Sequence, residues 1–273
     1  NMKSSKRVYI SIVYILLSCL TLSAETPYLF GHSAIGNGMG KTGLTYPGIS
    51  QAFNNQALLS DIKKLSVAAN YEGRFNLKEL ATKTLSIAIP AGNVTLGAIY
   101  SRFGYSDFSR SLVGLAAGMN LSKYFSAGVE IDYIREHSFD EYNDNHSITF
   151  EIGMLAHLTT NTDIGLHLFN PLPNALREKD IPMVMEVGIG HHISTSLFIT
   201  AEMSMASEEK PLYKYGFDYE IVKNLCLRGG YVTENNSFCF GVGYKMKTFS
   251  FDLAFVTHEY LGLSSSASII ITL

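Results

Sequence analysis

Beyond about residue 60 the chain alternates apolar and polar residues with a period of two. In "TFSFDLAFVT" Phe249, Phe251, Leu253 and Phe255 share one face, and Ser250, Asp252 and Ala254 the other. "YFSAGVEIDYI" repeats the pattern, setting Phe125, Ala127, Val129, Ile131 and Tyr133 against Ser126, Gly128, Glu130 and Asp132. "YKYGFDYEI" does so again with Tyr213, Tyr215, Phe217 and Tyr219 against Lys214, Gly216, Asp218 and Glu220. This is the period of a strand whose two faces meet different surroundings. Fourteen such segments can be traced, beginning near Leu65, Thr82, Val94, Ser111, Tyr124, Ser147, Asp163, Met183, Leu197, Leu212, Leu225, Phe238, Phe249 and Leu263.

The connections alternate too. After even-numbered segments they are tight, as in "SK" at 122–123, "STS" at 194–196 and "MK" at 246–247. After odd-numbered segments they tend to be longer and more polar: "EHSFDEYNDN" at 136–145, "FNPLPNALREKD" at 169–180 and "ASEEKP" at 206–211. An even strand count with short turns at one end and long loops at the other is the pattern of a transmembrane β-barrel whose short turns face the periplasm. A soluble β-sandwich also alternates, but its strands run about 5–6 residues; these segments run about 9–12, the span of a tilted membrane strand. Tyr100, Phe103, Tyr124, Tyr133, Tyr213 and Tyr244 stand near segment ends, where an interfacial aromatic girdle is expected. The fold class read from the pattern is all-β, a 14-stranded antiparallel transmembrane barrel.

Composition narrows the function. Only 16% of the 273 residues are charged, 47% are hydrophobic and the net charge is −3. The ordinary charged share is about 25%, so the deficit fits a membrane protein, and the absence of a basic excess argues against nucleic-acid binding. Residues 1–24 read as an export signal: Met2 to Arg7 form a basic stretch, Val8 to Leu17 an apolar one, and Ser23-Ala24 a cleavage site. A lipoprotein signal at Leu16 to Cys19 is the alternative. The expected location is the bacterial outer membrane. With Cys19 in the leader, Cys226 and Cys239 remain, on consecutive strands. A turn near Thr233 to Asn236 sets Cys226 opposite Gly243 and Cys239 opposite Gly230, roughly 13 Å apart along the strands. Two free thiols are expected.

"IGNGMGKTG" (35–43) spells G-x-G-x-x-G and ends like a phosphate loop. Either nucleotide motif needs a buried strand before it and a helix after, and Tyr46-Pro47-Gly48 breaks any helix. No nucleotide partner is therefore expected. The longer stretch "GHSAIGNGMGKTGLTYPGISQAFNNQALLS" (31–60) resembles the N-terminal signature of the FadL-related outer-membrane barrels, particularly the PorV/PorQ branch linked to type IX secretion. Ala34, Gly36, Gly38 and Gly40 correspond to its glycine-rich run, and Phe53, Asn55, Ala57 and Leu59 to the F-x-N-P-A-x-L segment before the first strand. Gln56 replaces the family proline and Met39 a glycine. Gly216, Asp218, Tyr219, Leu227, Arg228, Gly230, Tyr231, Gly241, Gly243 and Asp252 continue the likeness. The resemblance implies an N-terminal segment, residues 25–63, folded into the lumen of a barrel formed by residues 64–273.

With the apolar face turned to lipid, Glu130, Asp132, Glu151, Asp163, Glu186, Glu202, Asp218, Glu220 and Asp252 point inward, with Lys214, Arg228, Lys245, His157, His167 and His192. These are expected to form inter-strand ion pairs and to hold the inserted segment, Arg228 with Asp218 and Asp252 above all; a selective ion path would need an open lumen. Inward glycines such as Gly128, Gly153 and Gly216 favour a filled barrel. His191 and His192 point to opposite faces and make a poor metal pair. No G-x-S-x-G motif occurs, and no catalytic residue, cofactor or metal is expected. The reading reached is a non-enzymatic barrel in contact with lipid and lipopolysaccharide, serving by resemblance as an accessory that binds an envelope or secreted protein. The alternatives are a FadL-like channel for hydrophobic small molecules and a purely structural barrel. A channel calls for an apolar lumen, for which Phe198, Leu155, Ile99 and Phe103 are the candidates. The chain ends on Leu273 where an aromatic residue is usual, with Leu263, Ala267, Ile269 and Ile271 still alternating as a closing strand would.

Overall fold

The computed structural model describes residues 32–139, 144–172, 174–176, 179–207 and 209–273; the expected leader lies outside them. In chain order the strands are β1 (Ser66–Gly73), β2 (Ala81–Ala91), β3 (Val94–Gly104), β4 (Phe108–Ser122), β5 (Phe125–Ser138), β6 (Asn145–Thr159), β7 (Thr162–Phe169) and β8 (Asn174–Leu176). They continue with β9 (Lys179–Ile181), β10 (Val184–His192), β11 (Leu197–Ala206), β12 (Leu212–Val222), β13 (Leu225–Val232), β14 (Ser237–Lys245), β15 (Phe249–His258) and β16 (Gly262–Thr272). Strands β8 and β9 pair only with each other, and the other fourteen close into one antiparallel barrel. Closure joins β1 to β16, from Ser66 opposite Thr272 to Gly73 opposite Ser265.

The pleat sorts the side chains as the alternation requires, with polarity inverted relative to a water-soluble protein. Leu115 is 65% exposed, Val129 55% and Phe240 56%, whereas Asp132 and Asp252 are 0% and Arg228 3% exposed. Such an outer surface is stable only against lipid. A closed barrel also leaves no unpaired backbone edge in hydrocarbon, and no described helix is long and apolar enough to cross a membrane. In β13 and β14 the register sets Cys226 opposite Gly243 and Gly230 opposite Cys239, and both buried thiols are free.

Three details depart from the sequence reading. Strands β4, β5 and β6 run for 15, 14 and 15 residues, so part of the expected loop at 136–145 is strand. The expected loop at 169–180 contains the β8–β9 hairpin. Leu176 and Ile181 are buried in it, because an apolar residue on a loop folded over the barrel mouth finds an apolar lining below. Phe103 shares its face with the buried Ser101 and points into the lumen, so it is no part of an outer girdle.

Candidate luminal site

Residues 32–62 fill the barrel's interior. A short helix α1 (Ala34–Gly38) is capped by the Ser33 hydroxyl, which accepts from the Gly36 amide at 3.2 Å. It rests against β14, β15 and β16. Gly38 packs on Gly241, where a Cβ would come within 3.1 Å of the Gly241 Cα, and Gly36 lies between Gln51 and Thr42. Gly40 turns the chain back with φ 72°, and a Cβ there would meet the Tyr215 carbonyl at 2.3 Å. The glycine run thus serves close contact with the wall. Lys41 pairs with Glu234 at 3.6 Å, and Thr42 Oγ1 donates to the Met39 carbonyl at 2.7 Å; neither is arranged to receive a phosphate.

The second half of the plug is a 3-10 segment (Gln56–Asp61) capped by Asn55. Asn55 donates to the carbonyls of Leu44 and Met154 at 2.7 and 3.1 Å and accepts from the Ala57 amide at 3.2 Å. Ala57 and Leu59 are buried with Leu58 and Leu155, and Phe53 packs against them. Gln56, where the resembled family has proline, is a junction. Its Nε2 donates to Glu130 Oε2 at 2.8 Å and Glu151 Oε2 at 2.5 Å. From Glu151 the contacts continue through His167 (2.9 Å) to Glu186 (3.3 Å) and Lys214 (2.8 Å). Glu202 accepts the Gly43 and Leu44 amides at 2.8 Å each, and Asp132 accepts from Thr149 at 3.4 Å.

A second group adjoins it on the wall from β12 to β15. Arg228 Nη1 donates to Asp252 at 2.6 Å, and its Nε lies 3.5 Å from Asp218. The other Asp218 oxygen accepts from the Tyr46 hydroxyl, which in turn accepts from Lys245 Nζ at 2.9 Å. Of the inward residues singled out in the sequence, Asp218, Arg228, Asp252 and Lys245 meet here, whereas Glu130, Asp132, Glu151, Glu186 and Glu202 belong to strands β5, β6, β10 and β11. Sequence reasoning missed Gln56, Tyr46 and the buried Arg110–Glu136 pair. The signal for that pair was available, since Arg110 and Glu136 face each other across β4 and β5. His191 contacts Thr162 at 2.9 Å while His192 lies 4.8 Å from the Phe198 ring, and among the described residues no cluster suited to a metal assembles.

Above the plug, toward the long-loop end, the lumen changes character. Leu112, Ile134, Phe169 and Val184 point inward from β4, β5, β7 and β10 and meet Leu176 and Ile181 of the hairpin. Asn170 Nδ2 pins that hairpin by donating to the Ile181 carbonyl at 2.7 Å. Ile99 packs against this apolar cluster. Phe198 and Leu155, proposed from sequence as its lining, instead pack against the plug, because they sit lower on their strands.

The protein is thus a fourteen-stranded transmembrane barrel with an inserted N-terminal plug, a bacterial outer-membrane protein. Among solved structures, that of the toluene transporter TbuX of Ralstonia pickettii aligns with TM-score 0.62 at 14% identity, over 89% of this chain and 98% of that one. The toluene transporter TodX of Pseudomonas putida aligns with TM-score 0.65 at 13% identity over 90% and 98% of the two chains. A FadL homologue of Pseudomonas aeruginosa aligns with TM-score 0.65 at 12% identity over 88% and 98%. No family model matches the sequence, and no curated protein matches it. At these identities the shared property is the fold, that of FadL-type barrels, over nearly the whole length.

Proposed function

We propose that the chain is a non-enzymatic outer-membrane channel for hydrophobic small molecules. The observation that carries this reading is the buried apolar cluster of Leu112, Ile134, Phe169, Leu176, Ile181 and Val184, which gives the lumen a greasy stretch between the plug and the long-loop end. Small-molecule sites are concave and mostly apolar with a few fixed polar groups, and the barrels aligned above include two toluene transporters. The surrounding partners are membrane lipid and lipopolysaccharide, and no nucleic acid or nucleotide takes part. Buried polar groups of the wall hold the plug, Glu130 and Glu151 through Gln56 and Glu202 through the Gly43 and Leu44 amides, since unpaired charges at that depth would be costly.

The test is purification of the tagged protein from its native membrane in mild detergent, with mass spectrometry of bound molecules. A bound apolar molecule that is lost in Ile134→Glu supports the channel; a stoichiometric protein partner without any apolar ligand overturns it. That second outcome would favour an accessory barrel of a secretion or cell-surface assembly of the PorV/PorQ kind, the reading that the resemblance of residues 31–60 suggests.

A further inference from the structure

The lipid-facing surface is almost free of charge. Among the described residues, the outward positions of the barrel strands carry three charged side chains, Lys83, Arg102 and Arg135, and no carboxylate. All three are exposed and fall in one row: the register sets Lys83 opposite Arg102, Arg102 opposite Ser111 and Ser111 opposite Arg135. The row ends on the exposed His146 of β6. One step toward the short turns the same strands present Leu85, Tyr100, Val113, Tyr133 and Ile148, and the step after that is wholly apolar.

Two observations point to an anionic lipid head. Lys83 and Arg102 face each other directly across β2 and β3, and like charges so placed repel, the more strongly beside hydrocarbon. Neither has a hydrogen-bond or ionic partner among the described residues. Height is the second observation, because charges on a lipid face are costly at the midplane and tolerated near the interface. Each of the two stands eight positions along its strand from the short-turn end, at Ala91 and Val94. That is roughly 26 Å of strand, or about 20 Å of height at a tilt near 40°. Flexible stems carry the charged heads further up, to the outer boundary of an apolar band about 25 Å tall. Arg135 lies roughly 10 Å further round the wall, two strands from Arg102. Its Nε donates to Asp144 at 2.8 Å, and a guanidinium has five donors, so some remain for another acceptor.

We propose that this row is a binding site for the phosphorylated glucosamine head of lipid A, the membrane anchor of lipopolysaccharide. One phosphate sits between Lys83 and Arg102, the second lies toward Arg135, and the acyl chains run down over Leu85, Ile87, Leu115 and Ile131. The inference gives the surrounding lipopolysaccharide a fixed seat; it rests on the outer-membrane location and is independent of solute transport.

The test is native mass spectrometry of the full-length barrel in detergent, titrated with hexa-acyl lipid A carrying both phosphates or neither. The parent should bind the bisphosphorylated form at least fivefold more tightly than the phosphate-free one. Lys83→Ser with Arg102→Ser should abolish that preference, whereas Lys83→Arg with Arg102→Lys, which keeps both charges, should stay within about twofold of the parent. Lys223→Ser with Lys247→Ser removes the same charge at the short turns and should also stay within about twofold. Heat-modifiable gel mobility confirms that each variant is folded. Equal binding of the two lipid A forms, an indifferent variant of Lys83 and Arg102, or an equal loss in the short-turn variant overturns the proposal. So does displacement of bisphosphorylated lipid A by an equal concentration of phosphatidylglycerol, which would assign the row to anionic lipid of any kind. Phosphate-dependent binding by a barrel that takes up no hydrophobic solute would sink the channel reading alone, and uptake without phosphate-dependent binding would sink this site alone.

Discussion

Arg228 illustrates how single residues set the terms of this lumen. Fully enclosed, it serves Asp252 and Asp218 at once, and removing one member of such a buried group strands the others. Arg228→Met should lower barrel stability by about 3–5 kcal/mol, read by urea unfolding of the refolded protein. The double variant with Asp252→Asn should recover part of the loss; a single variant as stable as the parent would show that the charges are not paired in the membrane. Outside the membrane the β5–β6 tip offers a pH test. A hydrogen bond from His137 and then one from Arg135 hold the Asp144 carboxylate below its usual range. A depressed carboxylate contributes at neutral pH and loses its contribution as the pH falls through its folded value. Protection factors of the tip amides, with the intrinsic pH dependence of exchange divided out, should therefore fall below about pH 4 and stay level in the Asp144→Asn variant; an equal fall in both would exclude this contact as the cause. At this scale the sequence was partly legible. Parity alone put Asp218, Arg228 and Asp252 on the inward faces of β12, β13 and β15. Gln56 was invisible as a junction, because nothing in its neighbours reveals that Glu130 and Glu151 approach it from strands roughly 75 and 95 residues away.

Among elements, the strands were the most legible and the loop between β7 and β10 the least. Alternation located every barrel strand because lipid on one side and a polar lumen on the other leave a period of two with little exception. In "FNPLPNALREKD" strands β8 and β9 are three residues each, too short to show any period, and their burial depends on the apolar cluster beneath. The hairpin is predicted to cap that cluster through Leu176, buried against Phe169 and Val184. Leu176→Asp should leave heat-modifiable mobility intact while making Asn170 and its neighbours accessible to protease at the cell surface. Unchanged protease resistance would mean the hairpin is held by something other than this apolar contact.

For the whole molecule, the division between a polar, plug-filled lower lumen and an apolar upper cluster is the feature that ties fold to function. Barrel and plug were readable from composition, alternation and the resemblance of the glycine-rich stretch. The cluster was not, because the inward residues that form it (Leu112, Ile134, Phe169, Val184) differ from other inward apolar residues only in height along their strands, which alternation does not encode. The most direct test of the account is accumulation of radiolabelled toluene by cells carrying this barrel in place of their own hydrophobic-solute channel, comparing the parent chain with Ile134→Glu at equal outer-membrane abundance. A carboxylate in the cluster should cut the initial rate at least fivefold while the folded barrel persists. A parent chain no faster than the empty strain, with its barrel folded and inserted, would contradict the account.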